Sequence, residues 1–330
     1  MSVPAPIPFV TLEPPTYGEV VQVAPMIRRV IARNPSKFSY HGTGTYLIGD
    51  GDHVTLIDPG PRDDAHAEAL LTALGGQRLR TILVTHCHGD HSPLAARLAA
   101  ETGAITVGFG PHPRPDASDL ADDPDDEPDD PDEPDDDGSG AAAPVVLEEP
   151  TDYAFDPHER VVDGDVAAAG PGYTMRALHT PGHTSNHLCF TFDEERALFS
   201  GDHVMGWSTT VIAPPDGDMR HYLESLRRVM ARHDQVLWPT HGAPITDPGP
   251  FLDAFLAHRL HREAQVLAAV REGQTNIAAM VRVLYADVRR QLHKPARRSV
   301  LAHLVKLVDD GAVVTEGGER PSLRSVYRPG

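Results

Sequence analysis

The chain has 330 residues, of which 40% are hydrophobic, so it is long enough to bury a sizeable core. No stretch approaches the roughly 20 apolar residues of a membrane-spanning helix, and the amino terminus lacks the basic start and apolar run of a signal peptide. We therefore expect a cytoplasmic protein without a membrane anchor. The two cysteines, Cys87 and Cys189, are too few for a disulfide framework.

The formal net charge of −19 is unevenly distributed along the chain. Residues 116–137 contain 14 of the 48 acidic residues and no basic one. By contrast, residues 251–330 contain 13 Lys and Arg against 8 Asp and Glu. Because the charge is segregated by region, its total says little about the substrate.

Short apolar runs alternate with helical patterns in the first part of the chain, which favours an α/β architecture. The sequence TYLIGDGDHVTLIDPG predicts two paired strands joined at residues 49–52, and DDAHAEALLTAL predicts a helix capped by Asp63 or Asp64. The run RTILVT predicts a strand. PLAARLAAETG predicts a helix that begins directly after its cap, Ser92, and ends near Gly103.

An acidic, proline-broken segment interrupts this alternation at about residues 114–144. It cannot bury apolar surface or hold a helix, so we predict a disordered insertion in a surface loop. After it, three apolar runs end in residues that can bind metal: YTMRALHTPGH at His183, ALFSGD at Asp202 and QVLWPTH at His241. Strand ends that feed loops are where α/β folds gather functional groups.

From residue 251 the pattern changes to amphipathic helices. FLDAFLAHRLHREAQVLAAVREG predicts one long helix, NIAAMVRVLYA a second, and PARRSVLAHLVKLVDDG a third that begins near Pro295. Two short strands, in AVVTE and RSVYRP, are predicted to follow. Helices followed by a two-stranded ribbon resemble a winged helix, so we predict two domains, at residues 1–249 and 250–330.

The segment LVTHCHGDHSP places three histidines and an aspartate within six positions: His86, His88, Asp90 and His91. Imidazole nitrogen and carboxylate oxygen are ligands that Zn²⁺ and similar ions take, and catalytic sites leave a position for water. In an extended or turning segment, His86 and His88 can point to one side and hold one ion. Asp90 and His91 then face a neighbouring position, so two metal ions are predicted.

The segment H-x-H-x-D-H, followed in order by TPGHT, SGD and PTHG, resembles the metallo-β-lactamase superfamily of hydrolases. The resemblance extends over most of residues 43–242. It implies an α/β fold, the αββα sandwich, with a small C-terminal winged-helix-like domain. It also implies a dinuclear metal-dependent hydrolase with two divalent ions; Zn²⁺ is expected, although Mn²⁺ and Fe can use the same ligands.

Every ligand position of the superfamily is filled in this chain. The resemblance implies two sets of three ligands and one bridging carboxylate: His86, His88 and His183 for one ion, Asp90, His91 and His241 for the other, and Asp202 for both. Asp58, in LIDPG, is expected to orient the ligands from behind. Asp90 and Asp202 are the expected catalytic carboxylates. A hydroxide that bridges the two ions is the expected nucleophile.

Metal ligands alone do not identify the substrate. The wider sequence, including the tail, is similar to a β-lactamase-like branch that contains single-strand endoribonucleases, so phosphodiester hydrolysis in single-stranded RNA is the first hypothesis. The tail residues expected to bind phosphate are Arg297, Arg298, Lys306, Arg320 and Arg324. A solvated helix face, a cover over the metal cleft and a homodimer contact are the alternative roles for that tail.

Two other functions stay open. One is a glyoxalase-II-like hydrolase of a small acyl thioester, which the segment PGHTSNH fits equally well. The other is a non-catalytic nucleic-acid-binding protein, against which the complete ligand set argues. His187 and His203 lie near ligands in the sequence, and their roles are open. Residues 208–210 are a hypothetical lining of the substrate cleft.

Overall fold

A computed structural model describes residues 4–114, 150–286 and 293–330. The predicted insertion therefore lies, apart from Arg114, outside the described residues. No helix in the described ranges is long and apolar enough to cross a membrane. The chain divides into two compact units: the first comprises Met1–Pro113, Glu149–Ile212 and Asp216–Arg262, and the second consists mainly of Glu263–Gly330.

The first unit contains a seven-stranded sheet whose strands follow chain order. Its strands are β1 (Val21–Ala24), β2 (Ile27–Ile31), β3 (Gly44–Ile48), β4 (His53–Ile57), β5 (Arg78–Leu83), β6 (Ile105–Gly108) and β7 (Glu159–Arg160). The pairs from β1 to β4 are antiparallel, and those from β4 to β7 are parallel. The predicted strand pair joined at residues 49–52 is confirmed as β3 and β4.

Two helices, α1 (Asp64–Ala73) and α2 (Ala95–Thr102), pack against one face of this sheet. Asp63 caps α1 as predicted, because its carboxylate accepts hydrogen bonds from two backbone N–H groups of the first turn. Helix α2 begins two residues later than predicted. The hydroxyl of Ser92 donates to Asp152 Oδ2 at 2.8 Å and does not cap the helix.

The second sheet has five strands in the order β12-β11-β10-β9-β8. They are β8 (Val166–Gly170), β9 (Tyr173–His179), β10 (Leu188–Phe192), β11 (Ala197–Gly201) and β12 (Val236–Pro239). Only the β11–β12 pair is parallel among these neighbours. The three apolar runs that lead to His183, Asp202 and His241 are confirmed as β9, β11 and β12.

The main core lies between the two sheets. Tyr46 and Ile57 of the first sheet and Phe190 and Phe199 of the second belong to one buried cluster. Helices α1 and α2 cover the opposite face of the first sheet, and helix α3 (Met219–Met230), which lies between β11 and β12 in the chain, buries its own apolar stripe. The predicted fold class, an αββα sandwich with a winged-helix domain, is confirmed.

The second unit has its own buried core, to which Val300, Leu304 and Tyr327 contribute. Its elements are α5 (Ile277–Leu284), α6 (His293–Asp309), β13 (Val313–Thr315) and β14 (Tyr327–Pro329), and α4 (Pro248–Arg271) precedes them. Strands β13 and β14 form the predicted antiparallel ribbon. The predicted domain boundary at residues 249 and 250 falls at the start of α4, whereas the compact units divide at residues 262 and 263, within that helix.

Replacing Phe190 by Ala should lower the free energy of unfolding of the first unit by about 3–5 kcal/mol, because the fully buried ring would leave a cavity between the sheets. Urea unfolding followed by tryptophan fluorescence checks this, since both tryptophans, Trp207 and Trp238, lie in this unit. The control Val166→Ala changes a residue that is 49% exposed and should cost no more than about 0.5 kcal/mol. A loss for Phe190→Ala no larger than the control's would contradict this packing.

Candidate metal centre

Four segments that follow strands bring the predicted ligands together. Residues 86–91 come after β5, His183 lies between β9 and β10, Asp202 follows β11, and His241 follows β12. Their side chains are buried, and their ligand atoms form overlapping groups in which all atoms lie within 4.8 Å of one another. The fold thus assembles all seven residues from four separate parts of the sequence.

The first cluster consists of His86, His88 and His183. Nδ1 of His88 lies 3.0 Å from Nε2 of His86 and 3.2 Å from Nε2 of His183. Two nitrogens that bind one tetrahedral zinc ion at 2.0–2.1 Å would lie roughly 3.3 Å apart. Both distances from His88 Nδ1 are therefore close to those expected around one ion.

The second cluster consists of Asp90, His91 and His241. Nε2 of His241 lies 3.1 Å from Asp90 Oδ2, and Nε2 of His91 lies 3.5 Å from Asp90 Oδ1. This cluster combines two imidazoles with one carboxylate, a ligand set that divalent transition metals accept.

Asp202 lies between the two clusters. Its Oδ1 is 3.5 Å from His241 Nε2 and 3.6 Å from His91 Nε2, whereas its Oδ2 is 3.9 Å from His183 Nε2. One oxygen therefore faces each cluster. A carboxylate that bridges two ions requires this arrangement, and Asp202 is the residue predicted to bridge.

Several polar atoms in these clusters are buried without a hydrogen bond to any residue that the structure describes. They are both carboxylate oxygens of Asp90, Oδ1 of Asp202 and Nε2 of His91. Imidazole nitrogens lie 3.1–3.6 Å from these oxygens without forming a hydrogen bond, and a buried carboxylate oxygen without a hydrogen bond is unfavourable. A cation would satisfy these atoms, and the nitrogen and oxygen donors suit Zn²⁺, Mn²⁺ or Fe. The residues present therefore fit a divalent metal site.

The histidines of the two clusters have opposite electrostatic environments. Burial and the neighbouring His183 lower the pKa of His88 to about 3, and burial with four neighbouring imidazoles holds the pKa of His86 well below its usual value. Burial also opposes protonation of His91 and His241, but the adjacent carboxylates outweigh it and raise both pKa values. The first cluster is thus ready to bind a cation, whereas the second must release protons on binding one.

The two carboxylates are held in their ionised form. Burial opposes ionisation of Asp90, but His91 and His241 outweigh it and hold the pKa of that carboxyl at about 2. For Asp202, burial is outweighed by His241 and His91, which keep the pKa well below the usual range. Both side chains therefore offer anionic oxygens at neutral pH.

Asp58, expected behind the ligands, accepts four hydrogen bonds. Its Oδ1 accepts from the backbone N–H of Thr85 at 2.8 Å. Its Oδ2 accepts from the hydroxyl groups of Thr85 and Thr240 at 2.9 and 2.8 Å, and from His91 Nδ1 at 2.9 Å. Once the Nε2 proton is released on metal binding, His91 would keep the Nδ1 proton that Asp58 accepts and present Nε2 to the second cluster.

His183 and His241 are oriented in the same way, through the ring nitrogen that faces away from the cluster. Nδ1 of His183 lies 2.7 Å from Val211 O, and Nδ1 of His241 lies 3.2 Å from Gly42 O. Since a carbonyl can only accept, each ring donates from Nδ1 and leaves Nε2 for a cation.

Two threonines that orient this site were missed in the sequence. Thr85 and Thr240 each come directly before a clustered histidine, in THCHGDH and PTHG, and both donate to Asp58. The repeated Thr-His pair is the sequence pattern from which the two threonines could have been predicted. A second missed contact is Pro150, whose carbonyl accepts from the backbone N–H of Gly89 at 2.6 Å, and no local pattern announces it.

Cys87 faces away from the clusters. Its sulfur accepts from Asn186 Nδ2 at 3.0 Å and lies 3.6 Å from Gly110 O. Burial raises the pKa of the thiol to about 11. The thiol is therefore neutral at pH 7 and packs in the interior.

The hypothesis that residues 208–210 line the substrate cleft is wrong for Thr210. That residue is 2% exposed, and its hydroxyl lies 2.9 Å from the carbonyl oxygens of Asp202 and His203, to which it donates. Ser208 and Thr209 are half-buried. Thr210 therefore faces the protein interior.

Two protein families match separate stretches of the sequence. The metallo-beta-lactamase superfamily matches residues 42–241, a stretch that contains Asp58 and all seven clustered residues. The beta-lactamase associated winged helix domain matches residues 277–320.

The chain is also similar to curated proteins along most of its length. It is 29% identical over 312 residues to an atrochrysone carboxyl ACP thioesterase of Aspergillus novofumigatus, with 89% of this chain and 82% of that protein covered. It is 31% identical over 312 residues to an atrochrysone carboxyl ACP thioesterase of Paecilomyces divaricatus, with 91% and 85% covered. These relatives carry thioesterase names and not the endoribonuclease name that the sequence resemblance implied.

Among solved structures, a metallo-beta-lactamase family protein of Thermus thermophilus superposes with a TM-score of 0.70 at 22% identity, covering 94% of this chain and 100% of that one. At this identity the likeness shows the fold alone. The superfamily match, however, spans more than half of the sequence and includes every clustered residue. The chain therefore belongs to the metallo-β-lactamase superfamily and carries the associated winged-helix domain.

Proposed function

We propose that the protein hydrolyses acyl thioesters with two divalent metal ions, and that these ions are Zn²⁺. The observation that carries this proposal is the position of Asp202, which turns one oxygen towards each three-residue cluster. In a metal-dependent hydrolase of this superfamily, such an arrangement suits two ions at neighbouring positions. The thioesterase names of the relatives support the choice of bond.

The ligand assignment in this proposal follows the two clusters and the carboxylate between them. One ion would be held by His86, His88 and His183, the other by Asp90, His91 and His241, and both by Asp202. When bound, two such ions supply a water molecule that ionises at about pH 7 and a Lewis acid for the substrate carbonyl oxygen. The chain's own contribution is to fix the ligand atoms, through Asp58 and the backbone carbonyls that hold the Nδ1 protons.

The protonation state of the site favours a thiolate leaving group. Asp90, whose carboxyl has a pKa of about 2, and Asp202 are anionic, so neither is suited to donate a proton to the leaving group. A thiol has a pKa of roughly 8.5 and departs as a thiolate with little assistance. The alkoxide released from RNA is far more basic and needs a general acid. We therefore assign Asp90 and Asp202 the role of metal ligands.

For the substrate, we propose an acyl group bound as a thioester to a carrier protein. The support comes from the names of the relatives, which specify ACP thioesterases, and from the coverage of more than four-fifths of those proteins. Free acyl thioesters of similar chemistry are the alternative, and the assay below separates the two.

The RNA hypothesis loses part of its support in the second unit. Lys306, one of the expected phosphate-binding residues, is already 3.0 Å from Glu263 Oε1 and 2.8 Å from Asp310 Oδ2. Lys306 would have to give up both carboxylate contacts to bind a phosphate. A function as a non-catalytic nucleic-acid-binding protein is disfavoured as well, because the ligand set is complete.

The proposed reaction is tested with purified, metal-quantified protein on three acyl thioesters of the same acyl group, attached to a carrier protein, to coenzyme A and to a short thiol. Single-stranded RNA is assayed in parallel. We expect thioester turnover, fastest on the carrier protein, and no RNA cleavage. His88→Ala should abolish the turnover, which excludes a contaminating enzyme. RNA cleavage that is lost in this variant, without thioester turnover, would replace the proposal by a nuclease function.

Asp202→Ala should lose bound metal and thioester turnover together, because it removes the carboxylate between the two clusters. Elemental analysis after gel filtration measures the metal content. Asp156→Ala, which changes an exposed aspartate paired with Arg160, is the matched control and should retain both. An Asp202→Ala protein that keeps two tightly bound ions would disprove the assignment.

Asp58→Asn should weaken metal binding by about 10–100-fold while the fold is kept, because the amide cannot accept all the hydrogen bonds that the carboxylate accepts. Competition with a chromophoric chelator measures the affinity, and circular dichroism checks the fold. The control is Asp156→Asn. An unchanged affinity for Asp58→Asn would show that His91 is oriented without Asp58.

A further inference from the structure

We propose that His187 and Thr210 are positioning residues. They bind the backbone N–H and the backbone carbonyl of Asp202 and thereby orient its carboxylate towards both clusters. The backbone N–H of Asp202 donates to His187 Nε2 at 3.2 Å. The backbone carbonyl of Asp202 accepts from the Thr210 hydroxyl at 2.9 Å. The inference rests on the proposed metal role of Asp202.

The first contact fixes the tautomer of His187. A backbone N–H can only donate, so Nε2 must accept and the proton of the neutral ring must be on Nδ1. That nitrogen lies 2.9 Å from Thr180 Oγ1, which therefore accepts. His187 is consequently unable to bind a cation through Nε2, although it lies four residues after His183.

From Nδ1 of His187, further hydrogen bonds lead through Thr180 and Cys189 to the backbone of Ser200. The hydroxyl of Thr180 lies 3.3 Å from Cys189 Sγ, and that thiol donates to Ser200 O at 3.5 Å. All of these groups are buried. The chain of hydrogen bonds thus starts at Asp202 and returns to Ser200, two residues earlier, so that the ring is held on both sides.

Gly201 allows the close approach on which the contact with His187 depends. A Cβ atom at this position would lie 2.7 Å from His187 Nε2 and 3.0 Å from Thr85 Cβ. Its φ angle of +52° is also one that glycine adopts without strain. The glycine of the SGD motif therefore leaves room for the His187 ring to contact the backbone N–H of Asp202.

Thr210, eight residues further along the chain, binds the backbone carbonyl of Asp202. Its hydroxyl lies 2.9 Å from both Asp202 O and His203 O, and its own carbonyl accepts from the buried guanidinium of Arg259. The Tyr222 hydroxyl donates to His203 O at 2.9 Å. The loop that follows Asp202 is therefore fixed by three side chains.

This arrangement matters because the Asp202 carboxylate is the group that contacts both clusters. A change in the backbone conformation at Asp202 would move Oδ1 away from His241 and Oδ2 away from His183 at the same time. Ligand-orienting contacts of this kind typically contribute 10–100-fold to metal affinity. We therefore assign His187 and Thr210 a role in metal retention and not in contact with substrate.

The test uses the full-length protein stripped of metal and titrated with Zn²⁺ alone against a chromophoric chelator. His187→Phe and Thr210→Val keep the size of each side chain but remove its hydrogen bond, and each should weaken Zn²⁺ binding by about 10–100-fold. His187→Gln can place an oxygen near the position of Nε2, and Thr210→Ser keeps the hydroxyl, so both should restore the affinity. His187→Phe and Thr210→Val with unchanged Zn²⁺ affinity would overturn the inference.

A second readout does not depend on metal affinity or on the stability of the variants. A long-range ¹H–¹⁵N spectrum of the unaltered, Zn²⁺-loaded protein should show His187 with its proton on Nδ1. A proton on Nε2 would overturn the inference directly, because the contact with the Asp202 N–H could then not exist.

Failure of this inference is distinguishable from failure of the proposed function. If Asp202→Ala loses Zn²⁺ but His187→Phe and Thr210→Val do not, the metal role stands and the positioning role is wrong. If the unaltered protein binds no Zn²⁺, the proposed function is wrong, and the inference, which rests on it, falls as well.

Discussion

A single buried carboxylate, Asp58, joins the parts of the chain that form the metal centre. An anion in the interior requires several donors, and its four donors come from Thr85 after β5, from His91, and from Thr240 after β12. Asp58 itself adopts a φ of +50°, a conformation that costs a non-glycine residue on the order of 1–3 kcal/mol. The hydrogen bonds of the carboxylate offset this strain, because they connect the end of β4 with the ends of β5 and β12.

The same residue type performs two different tasks in this centre, and the partner of each ring decides which. His183 donates from Nδ1 to a carbonyl and so presents an unprotonated Nε2 to a cation. His187 accepts a backbone N–H at Nε2 and is thereby excluded as a ligand through that atom. The proposed ligand His183 and the proposed positioning residue His187 thus differ in hydrogen-bond direction and not in burial, since both side chains lie in the interior.

The sequence was informative where local chemistry determines the structure. The strand before each ligand, the Asp63 cap and the ligand spacing in HCHGDH are short-range patterns, and the structure contains them. Local patterns failed where a distant residue competes for the same group. Ser92 was expected to cap α2, but Asp152, sixty positions away, takes its hydroxyl. Thr210 was expected to face substrate, but backbone carbonyls of the Asp202 loop accept from it. The substrate was not readable either, since the ligands determine the metal chemistry and not the acyl group or nucleotide that is bound.

We propose that two metal ions share Asp202. Anomalous diffraction from crystals grown with Zn²⁺, recorded at the zinc absorption edge, would locate such ions. We expect two peaks about 3.5–4 Å apart, one among His86, His88 and His183 and the other among Asp90, His91 and His241, with one Asp202 oxygen on each. A single peak, or a second peak without Asp202 as a ligand, would contradict the dinuclear centre and with it the proposed basis of thioester hydrolysis.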